Sequence, residues 1–151
     1  MPDAWRSVIA ATLRRAAWAP TLVFLLHLVL SRGFGAYLRF PLLDVPMHLV
    51  GGIAISYFFA RGYRIAEGHG LLGRPAGWLY FVVVAALSTA STLSWEFAEY
   101  LSDRWLGTRA QLGLEDTLAD MLLGCLGATL YLVRVALSSP RSVDRDPSAD
   151  A

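Results

Sequence analysis

The sequence predicts an all-α protein, a four-helix transmembrane bundle led in by an N-terminal interfacial helix, and three observations carry that prediction. Of the 151 residues, 56% are hydrophobic and 17% charged, a balance outside the soluble globular range. The apolar residues fall into four runs of membrane-crossing length, given that a span needs about 20 residues and fewer when aromatics or arginine flank it. The run Trp78–Trp95 has no charged residue, whereas a helix of a soluble bundle sets an apolar stripe against a charged face. The expected helices are about Ala16–Ser31, Leu42–Ala60, Pro75–Tyr100 and Asp116–Leu137. Residues 1–137 then form a single integral membrane domain, and residues 138–151, "SSPRSVDRDPSADA", a disordered cytoplasmic tail.

Each element has its own justification. In "MPDAWRSVIAATLRRAAW", Trp5, Ile9, Thr12 and Ala16 share one helical face and Arg14 and Arg15 adjoin the first apolar run, as in an interfacial helix. Arginines before an apolar core also mark signal peptides, but only "SRGFGAYLRF" follows that core, with no small-x-small cleavage site, so the segment is read as uncleaved. Pro20 is tolerated near the start of the first span, and His27 near its end is read as hydrogen-bonded within the bundle rather than as a ligand. Gly33 and Gly35 mark a turn over Arg32–Pro41.

The second span opens as "LLDVPMHLVGG". Asp44 stands two residues before Pro46, as an N-cap would, and His48 lies one turn further on the same face. An Asp and His pair at this spacing suits a metal site, a carboxylate-oriented imidazole, or a capping acid bonded to a buried ring. Gly51 and Gly52 allow another backbone to approach. Arg61–Arg74 is polar and glycine-rich and reads as a loop with a solvated His69. In the third span Ala85, Thr89, Thr92, Glu96 and Glu99 form one stripe that should face protein. In the fourth, Asp116, Asp120, Gly124 and Gly127 share a face.

All 13 basic side chains are arginine and the net charge is +1, which leaves no nucleic-acid footprint. The single cysteine, Cys125, excludes an intrachain disulfide. Arg6, Arg14, Arg15, Arg61, Arg64, Arg74, Arg134, Arg141 and Arg145 fall on one side of the expected topology and Arg32, Arg39, Arg104 and Arg109 on the other. The positive-inside rule therefore predicts a multi-pass membrane protein with both termini cytoplasmic. The second helix then begins, the third ends and the fourth begins at one, outer, membrane face, which brings Asp44, His48, Glu96, Glu99, Asp116 and Asp120 to the same level.

Asp44, Glu115 and Asp116 sit at helix N-termini, where an acid caps free N–H groups. Glu96 and Glu99 lie near a helix C-terminus, where the dipole disfavours them, and Asp120 is a turn too deep to cap. Acids within a membrane must be compensated by arginine, a proton or a cation. Arg104 and Arg109 are the nearest arginines in sequence. As metal ligands, Asp44, His48, Glu96, Glu99, Asp116 and Asp120 favour Mn, Fe, Zn or Mg over copper. They do not form the Glu-x-x-His pairs of a ferritin-type di-iron set. Without metal, crowded carboxylates serve as general acid and base or as a proton relay. Neither a Ser, His and Asp nucleophile arrangement nor a phosphate-cradling glycine loop is legible.

The segments "LLDVPMHLVGG", "LSWEFAEY" and "LGTRAQLGLEDTLADMLLGCLGA" resemble, in order and spacing, the YjdF-like family of small bacterial inner-membrane proteins. Asp44, His48, Gly52, Glu96, Glu99, Gly107, Thr108, Asp116, Asp120 and Met121 fill matching positions, while Glu115 stands where relatives carry tryptophan. A more distant likeness is to VanZ-like glycopeptide-resistance membrane proteins. The resemblance implies a polar site and no particular reaction. Two functions are therefore expected. One is a membrane enzyme acting in the lipid bilayer on a lipid-linked or amphiphilic substrate, with Glu96, Glu99, Asp120 and His48 as catalytic residues. The other is a non-catalytic ion- or proton-handling or partner-binding subunit whose acids form a structural polar network.

Overall fold

The computed structural model describes residues 2–73 and 75–138, and among these every regular element is helical. In chain order they are α1 (Pro2–Ala16), α2 (Trp18–Leu28) continued by a π-helical turn (Val29–Gly33), α3 (Ala36–Arg39), a 3-10 turn (Pro41–Leu43), α4 (Asp44–Gly68), α5 (Gly77–Leu106) and α6 (Leu114–Ser138). The expected tail beyond Ser138, with Arg141 and Arg145, and Arg74 of the charge count lie outside the described residues.

Helix α4 is the axis of the bundle, packing most extensively on α6 and also on α1, α5 and α2. That central position explains its composition. Helices α5 and α6 are long and apolar enough to cross a membrane, and a third span results if α1 and α2, bent by 54° at their junction, are taken as one. Four apolar spans were expected. The difference lies in α4, which has the length but carries Asp44, His48 and Ser56 along its inner side and Arg61, Arg64 and Glu67 in its last turns. Packing against other helices keeps His48 and Ser56 buried and Asp44 half-buried, away from lipid, whereas Arg61 and Arg64 are exposed at the far end of the helix.

The segment expected as a loop over Arg61–Arg74 instead continues α4 to Gly68. Its apolar residues account for this: Ile65 and Ala66 bury against Val8 and Ala11 of α1, and Tyr63 meets Tyr80 edge-on at 5.3 Å. Arg64 pairs with Glu67 at 2.9 Å and lies 4.4 Å over the Tyr80 ring. His69, just past the helix, is exposed as expected, with Nδ1 2.8 Å from the Ile65 carbonyl oxygen. The inner face of α1 also differs from the expected one. Val8, Ala11, Thr12 and Ala16 are buried, while Trp5 and Ile9 point outward.

On α5 the buried stripe runs through Tyr80, Val84, Ser88, Thr92, Glu96 and Glu99. Thr92 and both acids are thus as expected, but Thr89 is exposed and Ala85 only half-buried. The Ser88 hydroxyl accepts a 2.8 Å hydrogen bond from Ser56 of α4, both side chains being fully buried. Replacing Ser88 with alanine leaves the Ser56 hydroxyl without that partner and is expected to cost about 1 kcal/mol, read as a small fall in melting temperature in detergent.

Helices α4 and α6 touch backbone to backbone. A Cβ at Gly52 would collide with the Gly124 carbonyl, one at Gly127 with the Leu49 carbonyl, and one at Gly124 would lie 2.6 Å from the Thr92 methyl of α5. Small residues permit this approach, as in membrane helix pairs generally. At the far end of α5, Gly107 adopts φ +66° and ends the helix in a left-handed cap.

Candidate functional site

Helix α4 begins, α5 ends and α6 begins at one end of the bundle. His48 lies about one turn into α4, Asp120 about two turns into α6, and Glu99 and Glu96 about two and three turns before the end of α5. The glycine contact between α4 and α6 draws these levels together. The His48 ring stands at the centre. Its Nε2 is 3.3 Å from Asp44 Oδ1 and 3.7 Å from Asp120 Oδ1, and its Nδ1 is 3.8 Å from Glu96 Oε1. Two groups result, Asp44 with His48 and Asp120, and His48 with Glu96 and Glu99, each offering one ligand atom per residue within 4.8 Å of the others. His48, Glu96, Glu99 and Asp120 are buried and Asp44 is half-buried.

The hydrogen bonding around these acids is uneven. Glu99 Oε1 accepts a 2.8 Å bond from the Trp95 indole N–H, one turn earlier on α5. Neither carboxylate oxygen of Glu96, a residue 3% exposed, has a hydrogen-bond partner. Its 3.8 Å approach to His48 is too long for one. Arg104 and Arg109, the compensating cations available from the sequence, form no ion pair with any of the cluster acids among the described residues.

Two of the expected members behave differently. Asp116 Oδ2 accepts the Leu112 backbone N–H at 3.0 Å, closing the start of α6 in the manner of a capping box, and belongs to neither cluster group. Asp44 opens α4, yet no side-chain cap bond forms there, and its carboxylate turns to His48 instead. The loop between α5 and α6 is drawn over the site by Asp103, which accepts the Thr108 hydroxyl and the backbone N–H groups of Ala110 and Gln111, the latter two at 2.8 and 3.0 Å. The Gln111 side-chain amide then donates to the Glu96 carbonyl oxygen at 3.1 Å.

Sequence reasoning missed Trp95, Gln111 and Tyr37. For Trp95 a signal existed, since an indole one turn before an acid on the same face reaches its carboxylate. Gln111 and Tyr37 had none, because loop geometry places them. His27 is hydrogen-bonded as expected, with Nδ1 3.0 Å from the Tyr37 hydroxyl, and its ring meets Trp95 edge-on at 5.3 Å. Beside His48 lies a cavity of about 280 Å³, walled on α2 by Val23, Phe24 and His27, on α5 by Ser91 and Trp95, and floored on α4 by Met47, Gly51 and Ile55.

No curated protein and no solved structure matches the chain. The family described as "Predicted membrane protein (DUF2238)" matches residues 6–141, nearly the whole length of the chain. A chain with two or three helices fit to span a membrane, folded around buried acids, thus belongs to the DUF2238 family of membrane proteins.

Proposed function

We propose that the His48 cluster is a divalent metal centre in a membrane enzyme that acts on a lipid-linked or amphiphilic substrate. The observation that carries this reading is Glu96, a buried carboxylate neither of whose oxygens accepts a hydrogen bond and whose Oε1 stands 3.8 Å from the ring of His48, itself flanked by further acids. Leaving such a group unsatisfied is costly, and a cation is the partner that four acids and one imidazole lack. The distances agree with that partner on one side of the ring. Two ligand atoms each about 2.1 Å from one ion lie about 3.4 Å apart at a tetrahedral angle, and Asp44 and Asp120 stand 3.3 and 3.7 Å from His48 Nε2. Glu96, grouped with Glu99, faces the other ring nitrogen, Nδ1, at 3.8 Å.

The candidate ligands fall into two groups that share His48, with Asp44 and Asp120 in one and Glu96 and Glu99 in the other, and mixed carboxylate and imidazole donors favour Mn, Fe, Zn or Mg. Such an ion polarises a substrate oxygen or lowers the pKa of a bound water. Whichever of Glu96, Glu99 and Asp120 stays uncoordinated is then the general base or acid. Trp95 fixes the rotamer of Glu99, the role an outer hydrogen bond plays at metal sites. In this reading α4 crosses the inner membrane as a fourth span, both termini are cytoplasmic, and the cluster lies near the outer face. The resemblance to YjdF-like and, more distantly, VanZ-like proteins accords with it.

Elemental analysis of protein purified in detergent tests the proposal. Near-stoichiometric Mn, Fe, Zn or Mg is expected, with a lower melting temperature after chelation. Metal-free protein that takes up none of the four on reloading and whose melting temperature ignores chelator overturns it, and leaves the acids as a structural network.

A further inference from the structure

We infer that the cavity beside His48 receives the apolar chain of the substrate, a single-chain amphiphile whose oxygen-bearing head group reaches the cluster. The inference rests on the proposed metal centre for its head-group half and on the cavity alone for its chain half.

Helix α2 packs on α4 but meets α5 through aromatic side chains, Phe24 and His27 standing edge-on to Trp95 at 5.9 and 5.3 Å. The cavity lies in this gap, between two helices whose outer faces carry exposed Leu22, Leu25 and Leu26 on one side and Leu87 and Leu93 on the other. Those faces meet lipid in a membrane protein, so the gap connects acyl-chain surroundings with the buried end of α4.

Its lining has the make-up of a ligand site, apolar walls with few polar groups, and His48 at one end is also the centre of the acid cluster. The cavity's 280 Å³ accommodates roughly nine water-sized groups at about 30 Å³ each, the bulk of one medium-length hydrocarbon chain. Four acids repel an anionic head group that lacks a cation between them, whereas a bound divalent ion attracts oxygen donors such as a phosphate ester. Trp95 joins the two halves, with its ring in the cavity wall and its N–H on Glu99.

Gly51 supplies the test. It lines the cavity, and a Cβ built on it meets nothing within 4 Å, so the side chain of Gly51→Leu starts in open space and extends into the chain space. The full chain in nanodiscs of phosphatidylcholine is photolabelled with dodecyl phosphate bearing a diazirine on the chain, and the labelled residues are mapped by mass spectrometry. Labelling concentrated on Val23, Phe24 and Ile55, and reduced about tenfold by Gly51→Leu as two or more methylenes of chain are displaced, is the expected result. Melting temperature should stay at or slightly above the wild-type value. Labelling that spreads over outward residues such as Leu122 and Leu126, or that Gly51→Leu leaves unchanged, overturns the inference. Metal content of the same preparations reads the metal centre separately, since Gly51-dependent labelling of protein that binds no metal retains the chain site while removing the centre.

Discussion

If the cluster is the proposed metal centre, replacing His48 with alanine is expected to abolish metal binding and lower thermal stability, because this ring is the one residue common to both groups of acids. Without it Asp44, Glu96, Glu99 and Asp120 face one another with no cationic or hydrogen-bonding centre. Elemental analysis and thermal unfolding in detergent measure the two effects, and His69→Ala, at the exposed end of α4 and remote from the cluster, serves as the control that leaves metal content unchanged. Glu96→Gln sharpens the test through its sign. If Glu96 is a ligand, the amide weakens metal retention by at least ~10-fold and lowers the melting temperature of metal-loaded protein. If Glu96 holds no metal, exchanging an unpartnered buried carboxylate for a neutral isostere removes a desolvation cost, and the melting temperature rises. A rise with unchanged metal content would exclude Glu96 from the centre.

Substituting alanine at two adjacent glycines is expected to give opposite results. Gly51→Ala places its methyl in open space beside the cavity and gains helix propensity, so stability holds or improves slightly. Gly52→Ala drives the methyl into the Gly124 carbonyl of α6. A backbone oxygen cannot rotate away as a side chain can, so the helices must separate, at a cost of about 3 kcal/mol or more. Because that same contact sets the relative level of His48 and Asp120, Gly52→Ala should also weaken metal retention while leaving every ligand in place. Comparing melting temperature and metal content of the two variants tests both expectations. Equal stability for the pair would mean that α4 and α6 do not pack at Gly52.

The acids illustrate how far sequence carries a site. That Glu96, Glu99 and Asp120 face protein followed from their spacing and from the cost of charge in hydrocarbon, and a count of helices placed His48 and Asp44 at the same end. Periodicity also misled. It set the α5 stripe through Thr89 and Ala85, whereas a stripe fixed by Ser88 and Val84 is the one α4 covers. Glycines in Arg61–Arg74 suggested a loop, while the tertiary partner that keeps this stretch helical, α1, lies more than forty residues earlier in the chain. Asp116 shows the limit of grouping by face. It shares a side of α6 with Asp120, yet a backbone N–H one turn away competes for its carboxylate and holds it.

By itself the sequence determined that this chain is helical, that it belongs in a bilayer, and that its buried acids converge at one end. Composition and the 3.6-residue repeat are local properties and need no knowledge of neighbours. The tertiary structure alone decided which glycine is a helix contact and which a cavity floor. It also left Glu96 without a hydrogen-bond partner, and packed α4 among other helices so that its inner side need not be apolar. Those outcomes depend on which helix lies against which, and at what rotation, and a contact between residues forty or more positions apart leaves no trace in the periodicity of either.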